Sequence, residues 1–82
     1  MQDLNLMAIY AHVVASGSFS AAALRLGTSR SAVSKAVAKL EHSLGVRLLH
    51  RSTRHLSVTE VGAVFVEHCN RIVEEMVQAE QV

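Results

Sequence analysis

Proline and tryptophan are absent from these 82 residues, and cysteine occurs once, at Cys69. A lone cysteine excludes an intrachain disulfide framework, so nothing in thiol usage points to an oxidising compartment and a cytoplasmic setting is expected. No apolar run approaches the roughly 18 to 20 residues that a membrane span requires. The stretch Met1 to Tyr10 has neither the basic start nor the unbroken apolar core of a secretory signal, and no membrane association is expected. His50, His55, His68 and Cys69 are the candidate metal-ligand types, but their spacing fits no zinc pattern. No metal or other cofactor is therefore expected. No nucleophile, base and acid form a catalytic group, and Gly17-Ser18 lacks the nucleophile-elbow spacing, so an enzyme is not expected.

What remains is a chain that is 50% hydrophobic and 18% charged, the composition of one ordered, mostly helical domain. So short a chain buries a modest core and stands to gain from a partner subunit. The net charge of +1 conceals a segregation. Arg25, Arg30, Lys35, Lys39, Arg47, Arg51 and Arg54 lie together against the single acid Glu41, for a net +6. Elsewhere Arg71 stands alone against Asp3, Glu60, Glu67, Glu74, Glu75 and Glu80, for a net −5. The first block attracts polyanions and the second repels them.

Periodicity orders the elements. From Leu4 to Ala15, the residues Leu6, Ile9, Tyr10, Val13 and Val14 recur at helical spacing, with Asn5 or Asp3 available as a cap. Ser16, Gly17 and Ser18 break that pattern. Ser18 or Ser20 then caps a short second helix with Phe19, Ala22, Ala23 and Leu26 facing inward. Gly27 ends it, as a glycine past the last periodic residue does in a left-handed cap. Thr28 and Ser29 offer caps for a third helix whose buried stripe is Val33, Val37, Leu40 and Leu44. With about 100° between successive residues, the opposite side carries Ser31, Lys35, Ala38 and His42, flanked by Ser34 and Lys39. Gly45 stops this helix in turn.

Leu48 to Arg51 and His55 to Val58 read as two short strands joined by a turn around Ser52, Thr53 and Arg54. Thr59 caps a last, long helix. Along it Phe65, Cys69, Ile72, Met76 and Ala79 form an apolar seam widened by Val66, Val73 and Val77. That seam has more apolar surface than one small domain covers, which predicts a partner helix.

Two short helices joined by a tight turn, the second with a small polar face, form the arrangement that lays a helix in the DNA major groove. Small side chains at Ser31, Ser34 and Ala38 let the backbone approach base edges. Arg30 and Lys35 are long enough to reach guanine acceptors or phosphates. In the hairpin, Arg51 and Arg54 bracket a polar turn, so that one can hold a phosphate while the other enters the minor groove.

The stretch from Gly17 through Gly62 resembles the N-terminal winged helix-turn-helix domain of LysR-type transcriptional regulators. The matching segments are Gly17-Ser18-Phe19-Ser20-Ala21-Ala22-Ala23, Ser31-Ala32-Val33-Ser34-Lys35, Leu40-Glu41 through Leu44-Gly45-Val46-Arg47-Leu48-Leu49 with Arg51, and Thr59-Glu60-Val61-Gly62. Where the family often has glutamine then proline, this chain has Arg30 and Ser31, and Leu49 stands where phenylalanine is common. The resemblance implies a three-helix core, a β-hairpin wing and a long linker helix, divided as residues 1–58 for DNA binding and 59–82 for dimerisation. The expected roles are base contact by Arg30, Ser31, Ser34 and Lys35, and a minor-groove wing of Thr53 and Arg54. Phosphate contact is expected from Ser20, Ser29, Lys39 and Arg51, and a homodimer seam from Phe65, Cys69, Ile72, Val73 and Met76. A small-molecule effector is expected only on a C-terminal domain outside these residues.

Simpler readings compete with each of these. Thr28 and Ser29 would cap a helix in any protein, Arg51 and Arg54 could guard exposed strand edges, and the last helix could pack wholly within its own domain. The same scaffold also serves as a protein-interaction module. The concentration of cations around the third helix and hairpin favours DNA, because an interaction module calls for an apolar or mixed face.

Overall fold

The computed structural model describes residues 4–51 and 56–81. The order is α1 (Leu4–Ser16), α2 (Phe19–Leu26), α3 (Arg30–Leu44), β1 (Leu49–Arg51), β2 (Leu56–Val58) and α4 (Glu60–Glu80). This is the mostly α winged helix-turn-helix expected. Asp3, offered above as a cap, and the turn and strand residues Ser52, Thr53, Arg54 and His55 lie outside the described residues.

The hydroxyl caps fall at Ser18, Ser29 and Thr59. Ser18 Oγ accepts the Ala21 N–H at 3.0 Å, Ser29 Oγ the Ala32 N–H at 3.1 Å, and Thr59 Oγ1 the Gly62 N–H at 2.9 Å. Each satisfies a donor that the first turn would leave without a partner. At the other ends, Gly27 and Gly45 sit at φ 68° and 71°, where a Cβ is disfavoured. Both close the same double hydrogen bond: Thr28 N–H to Ala23 O at 3.0 Å with Gly27 N–H to Leu24 O at 3.4 Å after α2, and Val46 N–H to Glu41 O with Gly45 N–H to His42 O, each at 3.3 Å, after α3.

The core gathers Tyr10 and Val13 of α1, Phe19, Ala22 and Ala23 of α2, Val33, Val37 and Leu40 of α3, then Leu48, Leu49 and Cys69. Strands β1 and β2 pair antiparallel, with Leu49 opposite Val58, His50 opposite Ser57 and Arg51 opposite Leu56. The hairpin is clasped to α4 at its base. Thr59 N–H bonds the Leu48 carbonyl at 3.1 Å and Thr59 Oγ1 donates to the Arg47 carbonyl at 2.7 Å. The Tyr10 hydroxyl donates into the same junction, 3.1 Å from both the Leu48 and Gly62 carbonyl oxygens. Gly62 leaves room for this approach, since a Cβ there would overlap the Leu48 carbonyl oxygen.

The seam of α4 divides differently from the sequence expectation. Cys69 is 0% exposed, filling the core of its own domain, and so is corrected out of the dimer seam. Gly62 lies about two turns earlier on the same side of α4, and its missing side chain lets that side lie close to the Tyr10 hydroxyl of α1 and the Leu48 carbonyl. Phe65, Val66 and Val73 flank it, half-buried against the core, with the Phe65 ring 6.0 Å from that of Tyr10. The outward side keeps Val61 at 50% exposure, Val64 at 58% and Met76 at 39%, with Ile72 half-buried at its margin. Burial pushes the Cys69 thiol up to about 11, a lone backbone hydrogen bond pulling the other way. Burial, with the nearby Cys69 and Glu41, raises the Tyr10 hydroxyl to about 12. Both groups stay protonated at neutral pH.

Candidate nucleic-acid interface

Helix α3 is anchored by one side and displayed by the other. Val33, Val37 and Leu40 are buried, which turns Ser31, Lys35, Ala38, Lys39 and His42 out to solvent. Arg30, the first residue of α3, is exposed, and Ser34 is half-buried at the edge of the face. The cap itself is exposed, with Ser29 Oγ 3.4 Å from Ser31 Oγ. An exposed helix start of this kind presents backbone N–H groups and the positive end of the helix dipole to an anion. Ser20 is likewise exposed, near the start of α2.

Arg51 is placed otherwise than a free phosphate ligand would be. Strand periodicity puts it on the same face as the buried Leu49, so its side chain runs back over the body of the domain. Its Nη2 lies 2.8 Å from Glu41 Oε1, and its guanidinium carbon is 5.8 Å from the centre of the Phe19 ring. Arg30 approaches the same ring, at 5.9 Å. Arg47, much more exposed, reaches Glu41 Oε1 at 3.9 Å.

Glu41 is the residue that sequence reasoning passed over. It is 6% exposed, and its Oε2 accepts the backbone N–H groups of Leu48 at 2.8 Å and Leu49 at 3.2 Å. Burial by itself would raise this carboxyl. The Leu48 N–H, the Arg51 guanidinium and the Leu49 N–H together outweigh burial and hold it below its ordinary 4.5. The one available signal was its isolation as the only acid in the basic block. Thus α3 fastens the first strand of the wing through a charged bond, and the two basic elements are set in one fixed relation. Thr53 and Arg54, the expected minor-groove residues, lie outside the described residues.

Residues 4–63 match the family described as bacterial regulatory helix-turn-helix protein, lysR family. The chain belongs to the LysR family. It is 53% identical over 78 residues to an HTH-type transcriptional regulator of Xanthomonas campestris pv. campestris, covering 95% of this chain and 23% of that protein. It is 50% identical over 74 residues to the regulator CrgA of Neisseria meningitidis, covering 90% of this chain and 25% of CrgA. The chain therefore spans about a quarter of the length of these curated relatives. Among solved structures, the BenM DNA-binding domain in complex with catB site 1 DNA superposes with a TM-score of 0.91 at 26% identity, over 98% of this chain and 89% of that one. The CbnR DNA-binding domain in its DNA complex gives 0.88 at 31% identity, over 98% and 92%. This LysR-type chain thus has the fold of the family's DNA-binding domains, and its relatives are named regulators rather than enzymes. Among the described residues, no helix is long and apolar enough to cross a membrane and no cluster of His, Cys, Asp and Glu could hold a metal ion.

Proposed function

We propose that this LysR-type domain reads duplex DNA sequence-specifically, as a homodimer on a pseudo-palindromic site, with α3 in a major groove and the hairpin in the flanking minor groove. The observation that carries this reading is the exposed face of Arg30, Ser31, Lys35 and Lys39 on a helix whose opposite side buries Val33, Val37 and Leu40, with Leu44 half-buried at its end. Small residues permit close approach to base edges, and the long cations supply reach. The BenM and CbnR domains, which superpose closely, are held in complexes with DNA, and this supports the same partner here. In this reading Arg30, Ser31, Ser34 and Lys35 contact bases, while Ser20, Ser29 and Lys39 contact phosphates. Arg51 adds those N–H donors that Glu41 leaves free, and Thr53 and Arg54 form the wing tip. Residues 1–58 make the DNA-binding unit and residues 59–82 the dimerising linker. Any small-molecule effector acts on a domain outside these residues.

Duplexes selected from a random pool by the purified chain provide the test. Arg30→Ala is expected to relax preference at one base position by about 1–3 kcal/mol, whereas Lys39→Ala weakens selected and random duplexes alike and lowers the salt slope by about one. Equal losses on both duplexes for Arg30→Ala would remove it from base reading. Random duplex should bind at about 10⁻⁴ to 10⁻⁶ M at physiological salt.

The dimer is assigned to the outward side of α4, where hollows lined by Val61, Val64 and Phe65, and by Ile72, Met76 and Ala79, line up along the helix. Ile72→Glu places a carboxylate against this strip and is expected to yield monomers in sedimentation equilibrium, because an unpaired charge at a closed apolar contact is costly. An unchanged mass distribution would take α4 out of the subunit contact.

A further inference from the structure

Phe19 is 5% exposed, and its burial alone would be served by any large apolar side chain. What an aliphatic residue lacks is a ring face with negative charge density, and two guanidinium groups lie over this ring. They differ in what else holds them. Arg51 is paired with Glu41 at 2.8 Å, so its charge is balanced and its position fixed by the carboxylate. Arg30 has no carboxylate partner among the described residues, and the Phe19 ring is what its guanidinium meets. Glu41 matters to this arrangement in another way. Without it, two unbalanced cations would converge on one ring and repel each other.

Resting on the proposed base-reading role of Arg30, we infer that Phe19 is a specificity-positioning residue, whose ring holds the Arg30 guanidinium in place at the start of α3 before DNA arrives. The physical gain is orientation. A guanidinium reads guanine by two parallel hydrogen bonds to O6 and N7, which demands that its plane be set. An untethered arginine loses side-chain entropy on binding, and meets phosphates or the wrong base as readily as the right one. A ring contact formed in the free protein removes part of that cost for the correct geometry alone.

Fluorination separates the ring face from the ring volume. Phe19 is replaced site-specifically by mono-, tri- and pentafluorophenylalanine, which keep the apolar shape while cancelling the charge density of the face stepwise. Binding is measured to the selected duplex, to duplexes altered at the base position that Arg30→Ala relaxes, and to random duplex across a salt series. Preference at that position is expected to fall stepwise by about two- to five-fold in total, the worth of an exposed cation–π contact. Affinity for random duplex, the salt slope and the melting temperature stay level, and in the Arg30→Ala background the series is flat. A preference that does not move across the series while Arg30→Ala does relax it overturns the inference alone. An Arg30→Ala protein with unaltered preference overturns the base-reading role and the inference together.

Discussion

Gly62→Ala is expected to lower the melting temperature sharply, although alanine is the better helix former by about 1 kcal/mol. Gly62 lies within α4 with ordinary helical backbone, so propensity by itself favours the substitution. The added Cβ would overlap the Leu48 carbonyl oxygen and come within 2.6 Å of the Tyr10 hydroxyl. The first of these is backbone, pinned by the Thr59 N–H, and has no rotamer into which to retreat. Relieving the overlap pushes α4 away from α1 and the hairpin, and takes the Tyr10 hydroxyl from its two buried acceptors. Overpacking of about 1–3 kcal/mol and a lost buried hydrogen bond of about 1–3 kcal/mol outweigh the propensity gain, for a net cost of about 3 kcal/mol. For a chain of this size that is a fall of roughly 12–24 °C. Thermal melts followed by circular dichroism check it, with the exposed neighbour Ala63→Gly as a control costing about 1 kcal/mol. A Gly62→Ala protein that melts higher than the parent would show that propensity governs this position and that the junction yields.

Glu41→Ala carries a comparable cost for an electrostatic reason. It strips the shared acceptor from the Leu48 and Leu49 N–H groups and leaves the Arg51 guanidinium without its partner. Two orphaned donors cost about 1–3 kcal/mol each if fully desolvated. The Arg51 side chain is 27% exposed and recovers part of its loss from water, so about 3 kcal/mol is expected in all. The pH dependence has a definite sign. The folded-state value of Glu41 lies below the ordinary 4.5. Its contribution is therefore fully present above the unfolded value and is lost as pH falls through the folded one. Melts of the parent and of Glu41→Gln from neutral pH downward should differ by a constant amount until about pH 5 and then converge. A gap that persists undiminished to the acid limit would mean that the carboxylate charge contributes nothing.

The starts of α2, α3 and α4 and the ends of α2 and α3 were legible because they are written in local chemistry, whereas Asn5, offered as a cap for the first helix, lies within α1. Of the offered pairs, Ser18 rather than Ser20 and Ser29 rather than Thr28 are the caps, Thr59 caps as expected, and Gly27 and Gly45 take the left-handed conformation that their positions called for. The buried stripe of α3 followed from the same periodicity, and with it the exposed face. The partition of α4 did not follow. A one-dimensional pattern shows how wide an apolar stripe is, but Cys69 goes to the core and Val64 to the surface because of where α1 meets the helix, at Gly62. Arg51 is expected from its charge to contact phosphate, and its pairing with Glu41 and its approach to the Phe19 ring were not foreseen, although alternation with Leu49 already aimed it inward. Glu41 could be counted as an acid but not recognised as an acceptor, since its partners are backbone groups that carry no residue signature.

Where the hairpin meets α4 it is clasped by Thr59, which holds both Arg47 and Leu48 by their carbonyl oxygens. The course of α4 is thus decided below the hairpin, by atoms that no tip residue supplies. Tips of other length or sequence are then interchangeable parts. On the proposed reading, a lineage can vary what the hairpin offers DNA while the long helix departs at the same angle, so that recognition and assembly are free to diverge on separate schedules.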